Sequence, residues 1–228
     1  MTGYPPLPSD VRFAAIAPEL VLTLTAIVVL LAGLSLRYRS YTPLVVLSLI
    51  GIAVSAGFAV AFWGQSREVF ASTVVSDQFA QVVRLILLGI AAVAVLMAEP
   101  YLQEKRITFP EYFALVLFST AGGMVMAAAQ NLMVLFIGLE ILSLSMYVMA
   151  GLARTEPRSE EAALKYFLLG AFASGFLLYG IALIYGASGT TSLNDLMPAL
   201  FSPSPEKRLL LYGGLALLLV GLGFKAAL

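Results

Sequence analysis

Residues 112–151 read YFALVLFSTAGGMVMAAAQNLMVLFIGLEILSLSMYVMAG, and this stretch decides the fold. It is apolar almost throughout, with one polar break at Gln130 and Asn131. The break predicts two successive helices, over residues 112–129 and from residue 132 to about residue 153. At about 1.5 Å per residue, each is long enough, or nearly so, to cross a hydrocarbon core about 30 Å thick.

Glu140 lies near the middle of the second of these helices. It follows Leu132 by about 12 Å along the helix axis, which places the carboxyl close to the bilayer midplane. An acid at this depth costs several kcal/mol unless it is paired or neutralised, so Glu140 is a candidate proton or ion site. The alternative is a carboxyl that only hydrogen-bonds a neighbouring helix and stabilises the bundle.

The composition is that of an integral membrane protein. Of 228 residues, 61% are apolar and only 11% are charged, whereas about a quarter of a soluble domain is charged. The 13 basic and 13 acidic residues balance, and no basic patch of the kind that nucleic acid requires is present. The chain has no cysteine and no histidine, so we expect no metal, haem or iron–sulfur site of its own.

Seven hydrophobic segments in total predict an all-α, polytopic bundle of transmembrane helices. The other five spans cover residues 14–36, 43–63, 79–98, about 159–185 and 209–228. In the second span, Gly51 and Ser55 have the small-xxx-small spacing that favours close helix packing. The third span includes Arg84, whose side chain we expect to extend outward to the interface, and Pro100 is expected to end that helix.

Polar residues and prolines predict several of the helix starts. Pro18 and Glu19 are expected in the first turns of the first span, where an acid faces the positive helix end. The sequence Thr108-Phe109-Pro110-Glu111 has the form of a capping box and predicts the start of the fourth span. Ser159 is expected to cap the sixth span.

The loops predict an orientation in the membrane. Those after spans one, three and five contain six basic residues, against five on the opposite side. The positive-inside rule therefore favours an N-terminus on the outer face. The first set is Arg37, Arg39, Lys105, Arg106, Arg154 and Arg158, and the second is Arg12, Arg67, Arg84, Lys207 and Arg208.

Two lysines within the spans are further candidates. Lys165 lies four residues after Glu161, so an interfacial lysine paired with that acid and a buried relay residue are both open. Lys225 follows Gly221-Leu222-Gly223-Phe224, and two glycines before a lysine predict an irregular helix that lines an ion site. A lysine that extends to the membrane surface from the end of its helix is the alternative.

Glu140 does not stand alone on its helix. Ser143 and Tyr147 follow it by three and seven residues, so the three side chains form a polar stripe on one helix face. We expect this stripe to face protein or water rather than lipid.

These segments resemble a known family, the antiporter-like membrane subunits of respiratory complex I. The sequence of residues 111–151 is similar to their central helices. Within the family, GLEILSLSMY (residues 138–147) followed by EAALKYFLLGAFASGFLLYGIALIYG (residues 161–186) most resembles the subunit N type, the counterpart of mitochondrial and chloroplast subunit 2. The sequence GLGFKAAL (residues 221–228) is similar to the seventh helix of that type.

The resemblance implies that the chain is the N-terminal half of a subunit with about fourteen helices and two inverted five-helix repeats. Residues 1–110 would form an N-terminal three-helix region, and residues 111–228 an incomplete first repeat. The implied protein is a multi-pass subunit of NADH-quinone oxidoreductase in a bacterial inner membrane, where it translocates protons next to other membrane subunits. A fragment of this kind is not expected to pump protons alone.

The resemblance also implies roles for single residues. Glu140 matches the essential glutamate of the fifth helix, and Lys225 matches the lysine of the seventh helix in the first half-channel. Lys165 matches a lysine of the sixth helix and is included as a relay candidate. The redox chemistry, with its NADH, flavin, iron–sulfur clusters and quinone, would take place in other subunits.

Three other functions are open at this point. The first is a subunit of a multisubunit sodium/proton antiporter, a relative of the same family. The second is a retinal photoreceptor, since seven spans with a lysine in the last is also that arrangement, although the third span lacks a central aspartate as counter-ion. The third is a purely structural role, against which the buried Glu140 argues.

Overall fold

The computed structural model describes residues 13–35, 41–105, 109–201 and 205–226. A 3-10 turn, Phe13–Ile16, leads into α1 (Ala17–Ser35) and then α2 (Thr42–Ala61). A short antiparallel hairpin follows, made of β1 (Arg67–Val69) and β2 (Val74–Ser76). The remaining helices are α3 (Gln78–Glu104), α4 (Glu111–Ala127), α5 (Leu132–Ala150), α6 (Pro157–Ser188), α7 (Leu193–Phe201) and α8 (Arg208–Lys225).

Six of these helices are long and apolar enough to cross a membrane, and α4 is a shorter apolar helix of 17 residues. The prediction of an all-α, polytopic bundle with about seven spans is therefore confirmed. The hairpin and α7 lie in the two polar connections for which the sequence predicted no helix or strand. The division of the chain at residue 110 remains a prediction.

Several predicted helix ends were wrong. Pro100 lies inside α3, which continues to Glu104, because the membrane-spanning helix tolerates one missing backbone hydrogen bond. The helix α6 begins at Pro157, where proline suits the first turn, so Ser159 does not cap it and donates instead to Ala150 O at 2.7 Å. The predicted start of the fourth span, by contrast, is confirmed to within one residue, since α4 begins at Glu111, and Thr108 of the predicted capping box lies outside the described residues.

Backbone hydrogen bonds join three connections at one end of the bundle: those between α2 and α3, between α4 and α5, and between α6 and α7. Val75 N donates to Ala128 O at 2.8 Å, so β2 is bonded to the turn between α4 and α5. On the other side of that turn, Leu132 N donates to Thr191 O at 2.9 Å. The start of α5 is thereby fixed between the hairpin and the connection from α6 to α7.

Glycines bring α4 and α5 into backbone contact. A β-carbon added at Gly122 would come within 2.5 Å of Leu142 N, and one at Gly138 within 2.8 Å of Gly122 O. Gly51 of α2 packs closely against the side chain of Thr25 of α1, as its small-residue spacing predicted. The apolar side chains of α1–α4 form one buried cluster, and those of α5–α8 form a second.

The prediction that Arg84 extends outward was wrong, since its side chain is completely buried. Its Nε and one terminal nitrogen donate to Glu19 Oε1 at 2.7 and 2.6 Å, and its other terminal nitrogen donates to Ser76 Oγ at 2.7 Å. Glu19 does lie in the first turn of α1, but it is 5% exposed and paired with α3. Each buried charge is compensated by the opposite charge of its partner. The pair formed by Arg84 and Glu19 joins α1 to α3, and Arg84 also joins α3 to β2.

Replacing Arg84 with Leu should destabilise the protein by about 3–5 kcal/mol, because the Glu19 carboxylate would be left buried and unpaired. Thermal unfolding of the detergent-solubilised protein measures the loss. Adding Glu19→Leu should restore much of the stability, since an apolar pair of similar volume replaces a buried ion pair at little cost. Lys165→Leu, which breaks an exposed ion pair, is the control and should change stability by about 0.5 kcal/mol or less. Equal losses for the two single variants would contradict the structural role of the Arg84 pair.

Candidate proton or ion site

The polar stripe of α5 faces the interior of the bundle, as its spacing predicted. Ser143 is 2% exposed and Tyr147 is 5% exposed. The Glu140 side chain is 23% exposed in this chain, so it is partly covered. All three lie on the face of α5 that meets α6 and α8, because positions three and seven residues apart share one side of a helix.

Lys225 reaches this stripe from α8. Its Nζ lies 2.8 Å from Ser143 Oγ, 2.6 Å from Tyr147 Oη and 3.4 Å from Glu140 Oε1. The side chain is 10% exposed, so the ammonium points into the bundle and not toward lipid. An acid and a base that are far apart in sequence thus meet at one point between α5 and α8.

A third helix completes the surroundings of the acid. Ser174 of α6 donates its hydroxyl to Glu140 Oε1 at 2.6 Å. The same oxygen is the one nearest Lys225. The carboxylate therefore has a donor from α6 and a cation from α8 on one oxygen, and a proton arriving at Glu140 would change both contacts.

The approach of α8 to α6 depends on glycines. A β-carbon at Gly214 would lie 2.9 Å from Gly180 O, and one at Gly221 would lie 2.6 Å from Leu177 Cβ and 2.9 Å from Ala173 O. Gly221 is one turn before Lys225, so this contact fixes the position of the Lys225 backbone relative to α6. The predicted irregularity at residues 221–223 was wrong: α8 is continuous to Lys225, and its glycines permit close packing instead of unwinding.

Lys165 lies elsewhere. Its Nζ contacts the Glu161 carboxylate one turn earlier on α6, and the two side chains are 69% and 62% exposed. The structure therefore does not bring Lys165 to the pair formed by Glu140 and Lys225. Its geometry is that of a lysine paired within its own helix.

Sequence reasoning missed Ser174 and Gly170, both on α6. Ser174 is one small polar residue in a segment of small and apolar ones, and nothing in its spacing relates it to Glu140. Gly170 makes room for a side chain of another helix, since a β-carbon there would lie 1.9 Å from Tyr147 Oη. No sequence signal identifies such a contact before the helices are packed.

Among the described residues, no group of three or more acidic side chains is placed to hold a metal ion. The groups that meet at the site are a carboxylate, an amine and three hydroxyls. Such a set can bind, hold and exchange protons, since each member is a donor or an acceptor in at least one protonation state.

The chain has relatives that match it along nearly its whole length. Residues 129–228 match the transmembrane family described as NADH:quinone oxidoreductase/Mrp antiporter. NADH-quinone oxidoreductase subunit N from Trichlorobacter lovleyi is 42% identical over 218 residues, which are 95% of this chain and 45% of that protein. The resemblance to subunit N is confirmed. The chain spans less than half the length of the curated relatives that it matches.

Solved structures show the same fold. A chain of respiratory complex I from Thermus thermophilus superposes with a TM-score of 0.74 and 32% identity, covering 92% of this chain and 44% of that one. A chain of the Mrp complex from a Dietzia species matches with a TM-score of 0.62 and 24% identity, covering 92% of this chain and 41% of that one. The match to the Mrp complex shows a shared fold alone. The apolar helices and the relatives together show that the chain is a multi-pass membrane protein.

Gly221→Ala should destabilise the protein by about 1–3 kcal/mol, because the added methyl group overlaps the backbone of α6. Gly175→Ala on α6 is the matched control: a β-carbon there meets nothing within 4 Å, and alanine favours a helix. Thermal midpoints of the two solubilised variants measure the difference. A control variant as unstable as Gly221→Ala would show that the contact between α6 and α8 does not set the stability.

Proposed function

We propose that the chain belongs to the family of antiporter-like transmembrane subunits of NADH-quinone oxidoreductases and Mrp antiporters, and that it forms the first proton-translocating half of a subunit of the N type. Its redox partners, with NADH, flavin, iron–sulfur clusters and quinone, are other subunits of the enzyme complex. The absence of cysteine and histidine supports this division of labour. The proposed location is a bacterial inner membrane.

The observation that carries the proposal is the contact of Glu140 with Lys225. Their charged atoms are 3.4 Å apart across two helices within the membrane-spanning bundle. At an effective dielectric constant of about 20, two unit charges at this distance attract by about 5 kcal/mol. An intramembrane acid and base at such a distance are the elements of a proton relay.

The pair can respond to a proton in two ways. A proton that reaches Glu140 removes its negative charge, and the attraction that holds Lys225 near it is lost. A proton that passes from Lys225 to Glu140 leaves a neutral amine and a neutral acid, with no net change in charge. In either case a change in the charge of one residue changes the attraction that holds the other in place. A relay role of Lys165 would require a proton path between it and Glu140, since its side chain faces Glu161.

A sodium/proton antiporter subunit is the second candidate, because the matched family includes Mrp antiporters. The 42% identity to a subunit N favours the first candidate. Hydrophilic redox subunits that co-purify with the protein would support the oxidoreductase. Transport that depends on sodium, in a preparation without such subunits, would support the antiporter.

Glu140→Gln tests the relay in the intact complex. Glutamine keeps the shape and the hydrogen-bonding capacity but cannot cycle between charged and neutral forms. We expect the complex to assemble and its proton pumping to fall at least about tenfold, since general acid–base groups contribute factors of about 100 or more. The measurement is proton pumping and quinone-reductase activity in vesicles with equal amounts of assembled variant and parent complex.

The matched control is Glu160→Gln, which makes the same change at an exposed position of α6 and should pump as the parent does. If Glu140 only joined helices, glutamine would supply contacts worth about 0.6–2 kcal/mol equally well. Unchanged pumping by Glu140→Gln would therefore leave the residue a structural role.

The proposed orientation places the N-terminus outside and the connection between α5 and α6 in the cytoplasm. Because Arg84 is buried within the bundle, the outer side retains four of its five counted basic residues, against six inside. The chain has no natural cysteine, so single cysteines can report each side. In intact cells, a membrane-impermeant thiol reagent should label Ser66→Cys and leave Thr155→Cys unlabelled, both positions being exposed. The reverse pattern would overturn the orientation.

A further inference from the structure

The ammonium of Lys225 is held more closely by hydroxyls than by the acid. Its distances of 2.6 Å to Tyr147 Oη and 2.8 Å to Ser143 Oγ are those of ordinary hydrogen bonds, whereas Glu140 Oε1 is 3.4 Å away. A lysine ammonium has three N–H donors. Two of them are thus assigned to hydroxyls of α5, and the third is the one nearest Glu140.

Hydroxyl partners suit a lysine that changes its charge. A hydroxyl oxygen accepts a hydrogen bond from the ammonium, and the same group can rotate and donate to a neutral amine. A carboxylate in their place could only accept. Tyr147 and Ser143 therefore provide partners for both protonation states of Lys225 without a change in the position of the nitrogen.

Contacts with α6 fix the position of the Tyr147 side chain. Its ring packs edge to face against Tyr166, with centroids 4.6 Å apart, and lies near Phe167, both on α6. At Gly170 of α6 the absence of a β-carbon leaves the space that the Tyr147 hydroxyl occupies. Lys225 Nζ lies 5.1 Å from the ring centroid and 2.6 Å from Oη, so it contacts the hydroxyl end of the ring and not its face. The position of the phenol is therefore set by contacts with α6 as well as by its bond to Lys225 of α8.

We propose that Tyr147 is the positioning residue of the relay: placed by Gly170, its hydroxyl holds Lys225 beside Glu140 in both protonation states. This inference rests on the proposed function of the pair. When Lys225 transfers a proton to Glu140, an N–H bond breaks and an O–H bond forms. The neutral amine then rotates about its Cε–Nζ bond, so that its lone pair accepts a hydrogen bond from the Tyr147 hydroxyl, and the sum of the charges stays zero.

Tyr147→Phe removes one oxygen atom and keeps the packed ring. In vesicles with the intact complex, proton pumping per quinone reduced should fall about tenfold, because a hydrogen bond to a charged group contributes at least that factor to the population of a placed side chain. Tyr179→Phe on α6 makes the same change at a residue that is 60% exposed and should pump as the parent does. Pumping by Tyr147→Phe within about twofold of the parent would overturn the inference.

A second series avoids any loss of folding. Fluorotyrosines of increasing phenol acidity, introduced at position 147, keep the ring shape nearly constant and change the strength of the hydroxyl as donor and acceptor. Pumping should change steadily along the series if the hydroxyl serves Lys225. A flat series, with assembly unchanged, would show that Tyr147 only packs. Gly170→Ala should reproduce the loss of Tyr147→Phe or exceed it, since its methyl group displaces the phenol.

Glu140→Gln in the same vesicles separates the two conclusions. If that variant stops pumping while the tyrosine series stays flat, the relay stands and the role of Tyr147 fails. If Glu140→Gln pumps as the parent does, the proposed function itself fails.

Discussion

A charge inside an apolar bundle needs a partner, and the structure depends on how this chain provides one. Two acids in its membrane-spanning helices are paired with bases from distant helices: Glu19 with Arg84, and Glu140 with Lys225. Because each unpaired charge would cost several kcal/mol, each pair determines which helices can be neighbours. The bundle is therefore arranged by its few charges as well as by its many apolar contacts.

The two pairs differ in a way that suits different roles. Arg84 is fully buried and makes two contacts under 2.8 Å with one carboxylate oxygen, a geometry that holds α1 and α3 together. Lys225 is slightly exposed, lies 3.4 Å from Glu140 and is bonded to two neutral hydroxyls as well. The first pair has little freedom to open. The second has alternative partners at hand, which is what a group that gains and loses a proton requires.

Glycine contacts set the positions from which these side chains extend. The approach of Gly122 to Gly138 brings α4 against α5, and that of Gly180 to Gly214 brings α6 against α8. At both places the backbones touch, so helix separation is defined by main-chain atoms and not by adaptable side chains. The side chains of the site therefore extend from helices whose separations are fixed. Gly170 likewise fixes the position of the Tyr147 phenol, because its missing β-carbon leaves room for the hydroxyl.

The sequence by itself determined the class of the protein, the approximate spans and the face that Glu140 shares with Ser143 and Tyr147. These follow from local hydrophobicity and helix period, which neighbouring residues express without reference to the rest of the chain. Only the tertiary structure decided that Arg84 turns inward to Glu19, that Ser174 serves Glu140, and that α8 stays helical to Lys225. The reason is physical: the bonds to Glu140 and Ser143 join residues 34 and 82 positions apart, and helix packing, not local pattern, brings them together.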